Sequence, residues 1–288
     1  MIEYDPHDWS SHFFDVRGSM LREILFRVSL CTLWGAVVAY LAHLQWPIGI
    51  PATGHTMSGA VLSLLLVFRT NASYDRYWEG RRMWGGMINE SRNLGRQVTA
   101  LVPAALEARN LAVRWTIAFA YAAMHQLRGE KSLGRMAEEL PASDVQVVLN
   151  AKHVPSGTAR QITKALDGAR ASGAISDYVF TAIDNNVQLL VDYLGACERI
   201  HTTPLPFAYV VHLRRALFIY CYTLPFALVR DFGMWSILTT FLITYLFMGI
   251  EELGVEIEDP FGRDDNDLPL DRFCQKIDEQ LSDLLRGM

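Results

Sequence analysis

The chain has 288 residues, a mean hydropathy of +0.13 and a formal net charge of −5 at pH 7. Hydrophobic residues make up 51% of it, which excludes a disordered chain, a collagen-like chain and a small disulfide scaffold but leaves soluble and membrane proteins open. The acidity is local, because residues 251–288 hold 12 acidic and 4 basic side chains, whereas residues 1–250 hold 19 acidic and 22 basic ones. The body of the chain is therefore weakly basic and its tail is acidic.

The first 20 residues are polar and acidic, and they lack the basic start of a signal peptide. We expect a cytosolic N-terminal segment there.

A run of 41 residues, Val28–Phe68, contains no Lys, Arg, Asp or Glu. A bilayer core takes about 20 apolar residues per helix, so the run has room for two spans and a turn. Two prolines and a glycine in residues 45–51 stop a helix, and Trp46 suits a membrane interface. We predict spans over Ile24–Leu44 and Ala52–Phe68. The core helices of a soluble protein are also apolar, but so long an uncharged run is hard to explain that way.

Two further stretches predict a third and a fourth span, Pro206–Val229 and Phe232–Ile250. The fourth has 19 uncharged residues. The third contains Pro225, which predicts a kink, and its N-terminal part carries ionisable groups that are costly within a bilayer. We expect that part to pack against protein. The ionisable groups are His212, Arg214 and Arg215.

Four spans place both termini on one side of the membrane. Arginines cluster directly after the second span, and a basic flank marks the cytoplasmic face, so we expect both termini and the middle segment to be cytoplasmic. Apolar residues recur at helical spacing in that segment, which predicts an extra-membrane helical bundle. The predicted organisation is a cytosolic N-terminal segment (1–23), a transmembrane hairpin (24–68), a cytosolic helical region (69–205), spans three and four (206–250) and an acidic cytosolic segment (251–288).

The sequence carries no signature of catalysis or nucleotide binding, since the P-loop, GxGxxG, HExxH and GxSxG patterns are absent. We therefore predict that the chain is not an enzyme. The four cysteines are at least 24 residues apart, which excludes zinc-ribbon spacing and predicts reduced, unreactive thiols. His43 and His55 are candidate pore or interface groups, although a packed histidine is the favoured interpretation.

One face of the second span combines apolar and small residues. Met57, Val61 and Leu64 follow the i, i+4, i+7 rule and share a stripe. In an oligomer such a stripe can line a narrow apolar constriction that gates by dewetting. Spacing alone favours ordinary packing between spans, because nearby small residues allow helices to approach closely. Those small residues are Gly54, Ser58, Gly59, Ala60 and Ser63.

Carboxylates crowd the segment after the fourth span. Clustered carboxylates with an asparagine are hard oxygen donors that suit Ca²⁺. The spacing is not that of an EF-hand loop, and a solvated acidic loop is the favoured interpretation from the residues alone.

The sequence resembles the bestrophin family, and specifically its bacterial members. The resemblance rests on Phe68–Arg96, on residues 196–209 with Thr203-Pro204-Leu205-Pro206-Phe207, and on Asp259-Pro260-Phe261-Gly262 followed by acidic residues to Asp267. These segments span most of the chain in the family's order.

The resemblance implies an all-α fold, with four transmembrane helices per subunit continuous with a large cytosolic helical bundle. It implies a homopentameric ion channel with one axial pore, which passes a hydrophobic neck and then a second restriction at the base of a cytosolic vestibule. Carried over by position, the neck falls on Thr53 or Gly54, Met57 and Val61, and the restriction falls near Ile175–Tyr178, with Tyr178 preferred.

The resemblance also implies a cofactor and partners. Glu256, Asp259, Asp264 and Asp267 match the family's calcium clasp, so Ca²⁺ is the one cofactor implied. Bacterial members are regarded as lacking calcium control, which leaves an intrasubunit brace as the alternative. The implied partners are identical copies, membrane lipid and permeant inorganic ions in a bacterial inner membrane, and no nucleic acid. Ion selectivity does not follow, because an apolar neck has no charge with which to choose a sign.

Two other function classes stay open at this stage. One is a secondary transporter of small organic ions that uses Arg214, His212 or His55 as binding groups, and it predicts saturable exchange. The other is a membrane scaffold that holds partners through the cytosolic bundle, and it predicts no flux.

Overall fold

A computed structural model describes His7 and residues 18–286. Most of the predicted cytosolic N-terminal segment, residues 1–23, therefore lies outside the described residues. The described part is helical, and no strand occurs in it, so the all-α prediction is confirmed. Its helices are α1 (Leu21–His43), α2 (Ala52–Leu101), α3 (Leu106–Leu127), α4 (Met136–Glu139), α5 (Ala142–Leu149), α6 (Val154–Ala171), α7 (Asp177–Thr202), α8 (Phe207–Phe232), α9 (Ser236–Glu256) and α10 (Leu270–Arg286).

The chain divides into two compact units. Of the described residues, the first unit takes those up to Tyr77, together with Pro204–Asp259 and Asp264–Asn266. The second takes Trp78–Thr203, Pro260–Arg263 and the described residues from Asp267 onward. Helix α2 is one continuous helix of 50 residues, and the division falls within it.

The first unit contains α1, α8, α9 and the beginning of α2. Helix α1 packs against both α8 and α9, and these two also pack against each other. Gly35 of α1 permits a close approach, since a Cβ there would lie 3.3 Å from Thr240 Cγ2. One core cluster lies among the four helices and consists of Ile24, Val28, Cys31, Leu62, Leu66, Leu213, Leu217, Cys221 and Met248.

The predicted break between the first two helices occurs where prolines and glycine were expected to stop a helix. Helix α1 ends at His43, and α2 begins at Ala52. Gln45 has a φ of 64°, a left-handed conformation that turns the chain. The loop is also tied to α8, because the Ile50 backbone N–H donates to the Phe226 carbonyl at 3.0 Å.

Two stretches are long and apolar enough to cross a membrane by length and composition, Leu21–His43 and Phe207–Glu256. The second stretch consists of α8, a short 3₁₀ turn over Gly233–Trp235 and α9. Pro225 lies inside α8, where it leaves one helical hydrogen bond unmade. The prediction of four spans stays a prediction.

The second unit is built around α3, whose buried side chains include Trp115 and Phe119. Helix α3 packs against α6 on one side and against the C-terminal α10 on another, and α6 also packs on α7. Helix α10 places its apolar side chains, including Leu281, in this core. Helix α10 therefore fixes the end of the acidic C-terminal segment in the core of the second unit.

Candidate functional site

The apolar stripe predicted on α2 is exposed. Met57 is 70% exposed and Val61 is 61% exposed, and Thr53 is exposed one turn earlier. On the opposite side of the same helix Leu62 and Leu66 are buried in the core of the first unit. The chain therefore uses one face of α2 for its own packing and leaves the predicted neck residues available to another molecule.

A groove of 390 Å³ lies beside this stripe, between α2 and α8. Its wall is formed by apolar side chains of both helices, together with His212 and Tyr220 of α8. Gly59 lets Tyr220 approach α2 closely, because a Cβ at Gly59 would lie 2.7 Å from the phenol oxygen. His55 is also engaged with α8, since its Nε2 lies 3.0 Å from Thr223 Oγ1.

Charged side chains gather where the apolar runs of the first unit end. Arg69 donates from Nη1 to Glu251 Oε1 at 2.9 Å, and Arg214 donates from Nε to the same oxygen at 3.0 Å. Arg27 donates from Nη1 to Glu252 Oε2 at 2.8 Å. The cluster holds the ends of α1, α8 and α9 and the middle of α2 together through charge-assisted hydrogen bonds.

The sequence alone did not identify the buried carboxylates of this cluster. Glu251 and Glu252 begin the acidic segment whose carboxylates suggested oxygen donors for Ca²⁺, although both are buried and paired with arginines. A usable signal was present, because Arg27 precedes the 41-residue apolar run, Arg69 follows it, and Glu251 follows the last apolar run. When the helices pack side by side, the charged residues at the ends of their apolar runs lie at the same height along the bundle.

The two residues near the predicted cytosolic aperture differ in exposure. Tyr178 is 90% exposed at the beginning of α7, whereas Ile175 is buried within the second unit. Ser176 caps α7, since its hydroxyl accepts from the Val179 N–H. Tyr178 therefore projects away from its own chain, and Ile175 does not.

Two of the predicted calcium-clasp residues, Glu256 and Asp264, line one pocket of the first unit. Among His7 and residues 18–286, no group of three or more His, Cys, Asp or Glu side chains is arranged to hold a metal ion. Glu256 instead accepts from Asn266 Nδ2 at 3.2 Å, and the same amide donates to the Gly18 carbonyl at 3.0 Å. Asp267 is buried and its carboxylate lies over Gly262, where a Cβ would be 2.6 Å from Oδ2. These contacts hold the loop within its own unit, and the calcium prediction stays a prediction.

The profile of the Bacterial/Fungal Bestrophin protein family matches residues 1–283. The chain belongs to the bestrophin family. Among solved bestrophins, it is similar to a bacterial bestrophin homologue from Klebsiella pneumoniae, with a TM-score of 0.86 and 32% identity over 91% of this chain and 98% of that one. The prediction of a bestrophin-type ion channel is thereby confirmed at the level of the family.

Bestrophin relatives of this chain carry channel names. It is 39% identical over 280 residues to the voltage-dependent anion channel-forming protein alr2987 of Nostoc sp., which covers 96% of this chain and 91% of that protein. It is 34% identical over 283 residues to the voltage-dependent anion channel-forming protein YneE of Escherichia coli K12, which covers 98% and 93%. The match therefore extends over nearly the whole of each protein, including both units described above.

Proposed function

We propose that this bestrophin forms a homopentameric channel for small inorganic ions, in which α2 of each subunit lines an axial pore, and that it has no enzymatic activity. The observation that carries the proposal is the exposed stripe of Met57 and Val61, which the chain does not cover with its own helices. Apolar side chains at a constriction about the width of an ion gate conduction by dewetting. Thr53 would begin this neck one turn earlier.

In this proposal the chain has four spans, with α1, the apolar beginning of α2, α8 and α9 crossing a bacterial inner membrane. The exposed apolar side chains on the outer faces of α1, α8 and α9 support a lipid environment, since lipid tails solvate them. Both termini and the second unit would lie in the cytoplasm. Tyr178 would then form the lower restriction, because it projects from the beginning of α7.

For the acidic segment we propose an intrasubunit brace. The contacts that support it are those of Asn266, which joins Gly18 to Glu256 within the first unit. Calcium control would require Glu256, Asp259 and Asp264 to rearrange toward a common cation. A calcium titration of the reconstituted channel tests the brace, and it predicts neither a change in current nor bound metal.

The test of the neck is single-channel recording from protein reconstituted in planar bilayers. Val61→Phe is expected to reduce the conductance at least severalfold, because a ring from each subunit would fill the constriction. Val67→Phe is the matched control, since it is the same exposed residue type on the same helix, turned by about 120° from Val61. Currents that are unchanged in Val61→Phe and in Met57→Ala would overturn the neck assignment.

The same recordings separate the channel from the other two function classes. Under a salt gradient a channel gives a reversal potential, whose sign shows whether anions or cations are the more permeant. Saturable exchange of an organic ion without conductance would favour a transporter, and an intact oligomer without flux would favour a scaffold. The groups considered for a transporter site are partly engaged, since Arg214 bonds to Glu251 and His55 to Thr223.

A further inference from the structure

A second pocket of the first unit, separate from the groove beside the neck stripe, combines basic and apolar walls. It has a volume of 240 Å³ and lies between α1, α8 and α9. Two arginines and three apolar side chains line it, together with one carboxylate. Its lining residues are Arg27, Arg214, Leu217, Phe218, Met248 and Glu251.

The pocket offers positive charge even though a carboxylate lies in it. Both oxygens of Glu251 face arginines, because Oε1 accepts from Arg69 and Arg214 and Oε2 lies 3.8 Å from Arg27 Nη1. The Glu251 side chain is buried, whereas the side chains of Arg27 and Arg214 are half exposed. Within the described residues Arg214 uses only its Nε as a donor, so both of its Nη groups stay available. An anion in the pocket would meet N–H donors on its exposed side.

The position of the pocket along the helices matches the level of lipid headgroups. Arg27 is the last charged residue before the 41-residue apolar run, and Arg214 with Arg215 precedes the apolar run of α8. Arginines at such boundaries lie at the membrane–water interface. Basic pockets between transmembrane helices at the cytoplasmic side bind anionic lipid headgroups.

We propose that this pocket binds the headgroup phosphate of an anionic phospholipid. Arg27 and Arg214 would donate to the phosphate oxygens, and an acyl chain would lie along Leu217, Phe218 and Met248. The inference rests on the membrane placement in the proposed function but not on conduction through the neck. Inorganic phosphate could accept the same hydrogen bonds from the two arginines, but it has no acyl chain to contact the apolar side chains.

The test is native mass spectrometry of the purified oligomer after exposure to phosphatidylglycerol or phosphatidylcholine. The wild-type protein is expected to retain phosphatidylglycerol in preference to phosphatidylcholine. The double variant Arg27→Gln/Arg214→Gln is expected to lose this retention about tenfold, since charge-assisted hydrogen bonds to phosphate are strong. Arg215→Gln is the matched control, because it removes an adjacent exposed charge that does not line the pocket. Equal retention by the double variant and the wild type, or equal loss in Arg215→Gln, would overturn the proposal.

Phe218→Ala keeps the test decisive if the double variant does not assemble. It leaves both arginines and Glu251 in place and removes most of the exposed apolar wall. We expect it to retain less phosphatidylglycerol, and unchanged retention would contradict an acyl-chain contact. Displacement of the lipid by inorganic phosphate at equal phosphorus concentration would identify a simple phosphate site instead. Val61→Phe should retain lipid as the wild type does, so a failure of the neck assignment is distinguishable from a failure here.

Discussion

Arg69 donates to Glu251 across 182 positions of sequence, and the two side chains are among the most deeply buried charges in the first unit, with residue exposures of 1% and 2%. Arg69 Nε and Nη2 have no hydrogen-bond partner among the described residues, although Nη2 lies 3.8 Å from Glu258 Oε2. A buried guanidinium with incomplete hydrogen bonding is costly, and the Glu251 carboxylate offsets that cost.

We therefore predict that Glu251→Gln destabilises the protein more than Arg69→Met does. The amide would leave Arg69 and Arg214 facing each other without a carboxylate between them, and removing one partner of a buried pair costs about 3–5 kcal/mol. Arg69→Met removes the buried cation itself, while Arg214 still pairs with Glu251. Thermal unfolding in detergent, followed by loss of the oligomer peak on size exclusion, gives the order of the two variants. The reverse order would contradict this account of the cluster.

Gly86 of α2 and Tyr193 of α7 meet without room for a side chain, because a Cβ at Gly86 would lie 2.5 Å from Tyr193 Cζ. We predict that Gly86→Ala destabilises the protein by about 1–3 kcal/mol, the usual cost of overpacking. Gly85→Ala is the control on the neighbouring residue, since its Cβ would contact only the flexible Arg81 Nη1, at 3.3 Å. There alanine should be neutral or stabilising by up to about 1 kcal/mol, because glycine is unfavourable within a helix. Equal unfolding temperatures for the two variants would show that Tyr193 moves aside freely.

Cys197 of α7 is predicted to resist alkylation in the native protein. Burial, reinforced by the charges of Glu198 and Glu79, raises the pKa of its thiol to about 12, so the reactive thiolate is scarce at pH 8. Mass spectrometry after maleimide treatment should find the Cys197 peptide unlabelled in the native protein and labelled after denaturation. Ser143→Cys introduces an exposed thiol that should react under the same native conditions. Rapid native labelling of Cys197 would indicate local opening of α7.

Local sequence rules were sufficient for the break between α1 and α2 and insufficient for the polar contacts. Prolines and glycine predicted the break at residues 45–51. The first helix ends at His43, one residue before the predicted Leu44, and the next begins at Ala52, as predicted. The uncharged runs correctly predicted which helices are apolar. A charged side chain is costly on a helix surface that faces either lipid or another apolar helix, so such helices carry few charges.

The polar contacts depend on which helices become neighbours, and the spacing of residues along the sequence says little about that. His153 illustrates the point, since it caps α6 by accepting from the Ser156 N–H while its Nε2 lies 2.7 Å from Glu198 Oε1 of α7. Histidine is an uncommon capping residue, and Glu198 lies 45 positions away. The same limit applies to the predicted aperture, because only the three-dimensional arrangement separates a buried Ile175 from an exposed Tyr178.

The second unit is predicted to lose stability in acid because paired carboxylates must be protonated. Arg128 donates to both oxygens of Asp271, at 3.2 and 3.0 Å, and this pair lowers the pKa of the Asp271 carboxyl. Hydrogen bonds from His125 and then Arg263 lower the pKa of Glu130. A carboxyl whose pKa is lower in the folded state stabilises the protein above its unfolded pKa, about 4 for Asp and Glu, and loses that contribution as the pH falls through the folded pKa.

Asp271→Asn is therefore expected to lower the unfolding temperature at pH 7 and to differ less from the wild type as the pH falls below about 4. The difference at pH 7 should be at most about 1 kcal/mol, because the Asp271 side chain is largely exposed and water and salt screen the pair. Glu279→Gln is the control on the same helix, since Glu279 is exposed and forms no ion pair with any described residue. Its effect should be small and independent of pH. A difference between Asp271→Asn and the wild type that stays constant from pH 7 to pH 3 would show that the Arg128 pair does not stabilise this unit.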